Sequence, residues 1–279
     1  MRTRLLIPLA VGIAITGACN CGPQQTLPPS AIVLGQTTLL VHVNPRVNDA
    51  NQASVPQPGS ARAQVMVSVA NGPAVLTDAR GVAVLAGLDA GVNTVAFSGA
   101  NTAGQVTVTL EEKELRELAV AVTGTGAQTM ADFRYRFGGQ VVEVNPGMSE
   151  AQVNAALTGS NKIVLFSGGS YTGNLTFTGS DVTLFAAGAD GGTVTLAGNI
   201  QVMGSANRIR GTRISGPLTV NGSNFGLSGS QITGTFSGTG STGIYLNNDF
   251  CQGATLSGST NTVLENSGLA PIPARDGGC

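Results

Sequence analysis

Arg208, Arg210, Arg213, Gln231 and Asp249 are the residues of this chain whose types and spacing could do chemistry together. Arg213, Gln231 and Asp249 recur at intervals of 18 residues, and Arg208 and Arg210 precede the first of them. A chain that folds with that period stacks the three in one outward column. Guanidinium forks match carboxylates through paired hydrogen bonds. The functional expectation is therefore a polar groove for an anionic glycan. The plainer account is a set of solvent-screened charges, each pair worth under about 1 kcal/mol.

Bond-breaking chemistry has less to work with. From residue 161 to residue 268 the charged side chains are Lys162, Asp181, Asp190, Arg208, Arg210, Arg213, Asp249 and Glu265. The single histidine of the chain, His42, lies far upstream, so a Ser–His–Asp device is not expected. A hydrolytic carboxylate pair needs a separation of roughly 5–10 Å. Asp181 and Asp249 are nearly four repeats apart, about 18 Å at roughly 4.8 Å per repeat. No cysteine pair has metal-ligand spacing with a histidine nearby, so no metal or cofactor is expected. The expectation is a protein that is not an enzyme.

The elements that must position these residues follow from the same period. Val164, Val182, Ile200, Leu218, Phe236 and Ala254 form one column, and Phe166, Leu184, Val202, Val220, Gly238 and Leu256 a second, two places on. Between them lie mostly polar residues: Leu165, Thr183, Gln201, Thr219, Ser237 and Thr255. That alternation is the period of a strand. A small residue then turns a corner in Gly168, Ala186, Gly204, Gly222, Gly240 and Gly258. Two more columns, Ile209–Leu227–Tyr245–Val263 and Leu196–Ile214–Ile232–Phe250, complete three apolar phases per repeat. One repeat cannot bury its apolar face alone, so about six of them stack. Three hexapeptides would also total 18 residues and make a left-handed helix. The columns here are separated by two, seven and five positions, which favours a right-handed parallel β-helix.

The N-terminus reads as an export signal, with Arg2 and Arg4 before an uncharged run of 12 residues, Leu5 to Thr16. A membrane span needs about 20 apolar residues. Thr16-Gly17-Ala18-Cys19 resembles the lipobox of bacterial lipoproteins, which implies cleavage after residue 18 and lipidation of Cys19. Asn20 in place of Asp then implies the outer membrane, and residues 19–36 form a tether. In an oxidising compartment Cys251 and Cys279 are expected to pair and staple the tail, 269–279, onto the last repeats. With a formal net charge of −1 and no basic run, nucleic acid is not an expected partner. The expected partners are the membrane, through the lipid, and an anionic polysaccharide or another envelope protein.

Between tether and repeats, short strands read at 37–44, 63–70, 81–86, 92–98, 105–110 and 115–123, which suggests a β-sandwich over 37–125. Val75 to Val84 and Gly87-Leu88-Asp89-Ala90-Gly91 resemble the turns of carboxypeptidase regulatory-like domains, implying a spacer or binding module. Glu111 to Glu117 reads as a solvated hairpin tip. Phe133 to Gly139 alternates rings and arginines before two glycines, so 126–148 reads as a connecting hairpin. Ser149-Glu150-Ala151-Gln152 is a capping box opening a helix whose Val153, Ala156 and Leu157 plug the stack at 149–268. This helix, Lys162 to Phe166 and Gly173 to Phe177 resemble the entry to pectin-lyase-like β-helices. The expected architecture is all-β, a sandwich followed by the β-helix. The expected work is non-catalytic, structural, adhesive or glycan-binding; a polysaccharide lyase or hydrolase with an atypical site is the alternative.

Overall fold

The computed structural model describes residues 35–48, 62–70, 72–137, 139–186, 193–258, 260–270 and 272. The signal, Cys19, Cys21, most of the tether, Asp190 and Cys279 lie outside these residues. Alternating apolar residues make the first eight strands: β1 (Thr38–Val43), β2 (Met66–Val69), β3 (Ala74–Leu76) and β4 (Val82–Ala86), then β5 (Gly91–Gly99), β6 (Thr102–Leu110), β7 (Glu114–Val122) and β8 (Ala127–Arg136). They form two four-stranded sheets, β4-β1-β7-β8 and β3-β2-β5-β6. One core fills the space between them, with Leu39, Val41, Leu118 and Val120 from the first sheet and Val67, Val95, Phe97 and Val108 from the second.

Next come β9 (Gln140–Val144), the helix α1 (Glu150–Leu157) and β10 (Lys162–Phe166). Short strands follow: β11 (Gly169–Tyr171), β12 (Leu175–Phe177), β13 (Val182–Ala186), β14 (Val194–Leu196) and β15 (Ile200–Val202). After them are β16 (Arg208–Arg210), β17 (Arg213–Ile214), β18 (Leu218–Val220), β19 (Gly226–Ser228) and β20 (Gln231–Ile232). The last are β21 (Phe236–Gly238), β22 (Ile244–Leu246), β23 (Asp249–Phe250), β24 (Thr255–Leu256) and β25 (Thr262–Leu264). These strands make three parallel sheets: β25-β22-β19-β16-β13-β10-β9, β11-β14-β17-β20-β23 and β12-β15-β18-β21-β24. Their inward residues share one core, among them Leu184, Ile209, Leu196, Ile214, Ile200 and Val220. Ser149 and Gln152 cap α1 reciprocally, and Val153, Ala156 and Leu157 are buried in that core.

The 18-residue period is regular only in the later part of the chain. Arg208 pairs with Gly226 and Gly226 with Ile244, each an 18-residue step. Earlier, Lys162 pairs with Val182, and Thr183 with Arg208, steps of 20 and 25. The early members of both expected inward columns, Val164, Val182, Phe166 and Leu184, therefore belong to another sheet than the later members. Val164 pairs with Leu184 in the seven-stranded sheet, whereas Ile200 stacks between Leu175 and Leu218 in another. Their inward orientation was right and their column wrong. Every strand of a repeat alternates in the same way, so spacing alone does not separate the sheets.

The corners show why small residues recur. A Cβ on Gly204 would lie 1.7 Å from the carbonyl oxygen of Gly179, and one on Gly222 would lie 1.9 Å from that of Gly204. No atom fits there, so closeness of backbone rather than unusual torsion demands glycine. A buried polar ladder seals another edge: Asn248 Oδ1 accepts from the Ser230 amide, Asn266 Oδ1 from the Asn248 amide, and Asn48 Oδ1 from the Asn266 amide.

Asn48 belongs to the segment after β1, so the two halves are joined at more than the chain crossing. A third core holds Leu40, Leu115, Ala119, Phe133 and Tyr135 from the β4-β1-β7-β8 sheet. Packed against them are Ile163, Phe185, Leu246 and Leu264 of the seven-stranded sheet. That first sheet is thus apolar on both faces. The expected hairpin at 126–148 does not form. β8 pairs with β7, while β9 pairs with β10 as the first strand of the seven-stranded sheet. β8 and β9 thus belong to different sheets, with Gly139 just before β9.

Candidate functional site

His42 and Leu40 share the outward face of β1, and Glu117 shares that of β7 with Leu115, Ala119 and Ala121. Packing this face on the seven-stranded sheet buries both polar groups. His42 Nε2 lies 2.9 Å from Glu117 Oε1. Glu117 Oε2 accepts from Ser228 Oγ at 2.9 Å, from Tyr135 Oη at 3.2 Å and from Arg210 Nε at 3.2 Å. The Arg210 guanidinium also stands 5.5 Å from the Phe185 ring centre, a cation–π arrangement. Burial by itself would raise the Glu117 pKa. Arg210 and the hydrogen bonds from His42 and Ser228 outweigh that and bring it down to about 2.

A serine, a histidine and a carboxylate meet here, but in the wrong order for acyl transfer. In a catalytic triad the imidazole stands between nucleophile and carboxylate. Here the carboxylate is central, and its lowered pKa makes it a poor base for the Ser228 hydroxyl. Glu117 is 1% and Ser228 0% exposed, so no substrate reaches them. The cluster is a docking element. Glu114 is also fully buried and accepts from Arg134 Nε at 2.7 Å. The run from Glu111 to Glu117 is therefore a solvated tip only at Glu111, Glu112 and Lys113.

The far end of the interface uses a second carboxylate. Gly211, Gly229, Asn247 and Glu265 occupy one corner in successive repeats, all with positive φ. A glutamate in that conformation is strained by about 1–2 kcal/mol. Arg46 reaches it at 2.7 Å and Arg62 at 3.0 Å. Those pairs hold the Glu265 carboxyl below its ordinary range against the upward effect of burial.

The five residues expected to form one ligand groove are not brought together. Arg213, Gln231 and Asp249 are register partners on successive strands, as the spacing implied. Arg213 is exposed and Gln231 half-buried, but Asp249 is fully buried and accepts a hydrogen bond from Ser267 Oγ. The column does not face outward throughout, because the following chain packs over its last member. Arg208 and Arg210 lie on a different sheet, and Arg210 is consumed by Glu117.

Arg208 opens instead onto a cleft of about 550 Å³ that the sequence did not single out. Its floor is Lys162, Asp181, Thr183 and Arg208; its wall is Glu111 and Glu112 from the loop before β7, with Arg134 and Arg136 of β8. Asp181 takes Arg208 at 2.8 Å, and Glu111 takes Arg134 at 2.7 Å and Arg136 at 3.0 Å. Two stretches read separately from sequence, the charge run and the ring–arginine run, meet there. Cys251 is disulfide-bonded, with its partner outside the described residues. Among the described residues no group of three or more His, Cys, Asp or Glu is placed to hold a metal ion. No protein family, characterised protein or solved structure matches this chain.

Proposed function

We propose that the chain is a non-catalytic envelope lipoprotein whose three parallel sheets form a right-handed parallel β-helix. In this reading the two four-stranded sheets are a carboxypeptidase regulatory-like sandwich, Cys19 carries the lipid, and Cys279 is the partner of Cys251. The observation that carries it is the sealed Glu117 cluster. The single histidine and a carboxylate held at about 2 are both used to fasten the halves together, away from any surface where bond-breaking occurs. The outward ladder Thr176–Gln201–Thr219–Ser237–Thr255 is uncharged and repeats at the spacing of adjacent strands. Such a surface suits an extended, repetitive polymer, and glycan binding or adhesion is the work assigned to it.

A glycan array probed with the form lacking residues 1–21 tests the assignment, with the same protein incubated beside pectate and alginate, with and without calcium. Binding without new reducing ends or unsaturated products is expected. Turnover in those incubations overturns the non-catalytic reading. Cys19→Ser should release the chain from membranes; unchanged partitioning overturns the lipoprotein assignment.

A further inference from the structure

The 550 Å³ cleft at the seam falls in the size range of small-molecule sites. Most of its charge is already neutralised. Arg134 and Arg136 are paired with Glu111, and Arg208 with Asp181. Among the described residues, two lining charges make no ion pair, Lys162 on the floor and Glu112 on the wall. They are of opposite sign and are not paired with each other. A purely anionic ligand gains at Lys162 and is repelled by Glu112; a purely cationic ligand meets the reverse. Both positions are rewarded together only by a molecule that carries both charges.

We propose that this cleft binds a small zwitterion, an amino acid or short peptide that presents its carboxylate to Lys162 and its ammonium to Glu112. The Lys162 ammonium donates to the Thr158 carbonyl and keeps further N–H donors for a ligand. Desolvation lowers its pKa with no compensating carboxylate, so an arriving carboxylate restores what burial removed. Asn161 and Thr183 border the same floor and supply neutral hydrogen-bonding groups for a peptide unit. The site lies on the seam between the two halves, apart from the hydroxyl ladder assigned to glycan, and stands or falls independently of that assignment.

The test is a titration of the ¹⁵N-labelled full chain with alanylalanine, its N-acetylated form, its C-amidated form and free alanine. Saturable amide shifts at Asn161, Lys162 and Glu112 are expected with the free dipeptide. Each blocked form should bind at least about tenfold more weakly, the size of one charge-assisted contact. Lys162→Gln and Glu112→Gln should each weaken binding to the same degree, and Arg213→Ala should not. Binding of free alanine with the same dependence on both side chains supports the site and selects the smaller ligand. The absence of saturable shifts, or blocked peptides binding as tightly as the free one, overturns the proposal. The blocked-peptide comparison needs no variant, so a variant that fails to fold does not leave the outcome open.

Discussion

Arg208 and Arg210 stand two residues apart on one strand and point to the same side of the same sheet, yet they belong to different regions of the molecule. Arg210 lies beneath β8, 8% exposed, held by Glu117 and flanked by the Tyr135 and Phe185 rings. Arg208 lies just beyond, on the floor of an open cleft, paired only with Asp181 at a half-exposed position. The strand does not distinguish them; the covering sheet does. Once β8 removes water from one guanidinium, its partner becomes obligatory, because a buried unpaired charge is far more costly than a solvated one. The same surface of seven strands thus serves as core where it is covered and as a site where it is not.

The sharpest way to break this comparison is to delete the two arginines separately. Arg210→Ala strands the Glu117 carboxylate in the interface and should lower stability by about 3–5 kcal/mol in urea unfolding. A loss no larger than that of Arg208→Ala would mean that the docking seal is not what separates the regions.

Acid should act on the covered region next. The Glu117 carboxyl sits at about 2 against an ordinary 4.5. A group depressed in the folded state contributes stability that is complete above its unfolded pKa and is lost as pH falls toward the folded one. The loss should therefore run from about pH 4.5 down toward 2. It should amount to on the order of 3 kcal/mol from Glu117 alone, with Glu265 adding in the same direction. Thermal melts across that window should show it, and in Arg210→Ala the acid loss should shrink. A stability flat between pH 5 and 3 sinks the idea.

Gly226 probes the contact between the sheets directly. A Cβ there meets Phe133 Cε1 at 2.6 Å and Arg208 Cγ at 3.1 Å, so Gly226→Ala should cost about 1–3 kcal/mol by overpacking the seam. An unchanged melting temperature would mean that β8 does not press on this strand. Least of all, Arg208→Ala should change stability by under about 1 kcal/mol, the usual worth of a half-exposed pair. A double-mutant cycle with Asp181→Ala measures that coupling directly.

How much of this was legible depends on the range over which each interaction acts. The columns Ile209–Leu227–Tyr245–Val263 and Leu196–Ile214–Ile232–Phe250, the capping box at Ser149 and the corner glycines all follow from local spacing. Nearest-neighbour stacking imposes it again at every turn of the chain. The irregular steps of 20 and 25 residues were hidden, because alternation with a period of two looks alike in all three sheets. The docking surface left a faint trace: β1 and β7 carry apolar residues on both faces, with His42 and Glu117 as polar interruptions on the docking one. That pattern signals a second buried face but not its partner. That Glu117 meets Arg210 across 93 residues, Glu265 meets Arg46 across 219, and Arg208 escapes burial two positions from Arg210 was decided by the tertiary structure alone. Which charges lose their water depends on which sheet comes to lie over them, and no spacing within a strand carries that information.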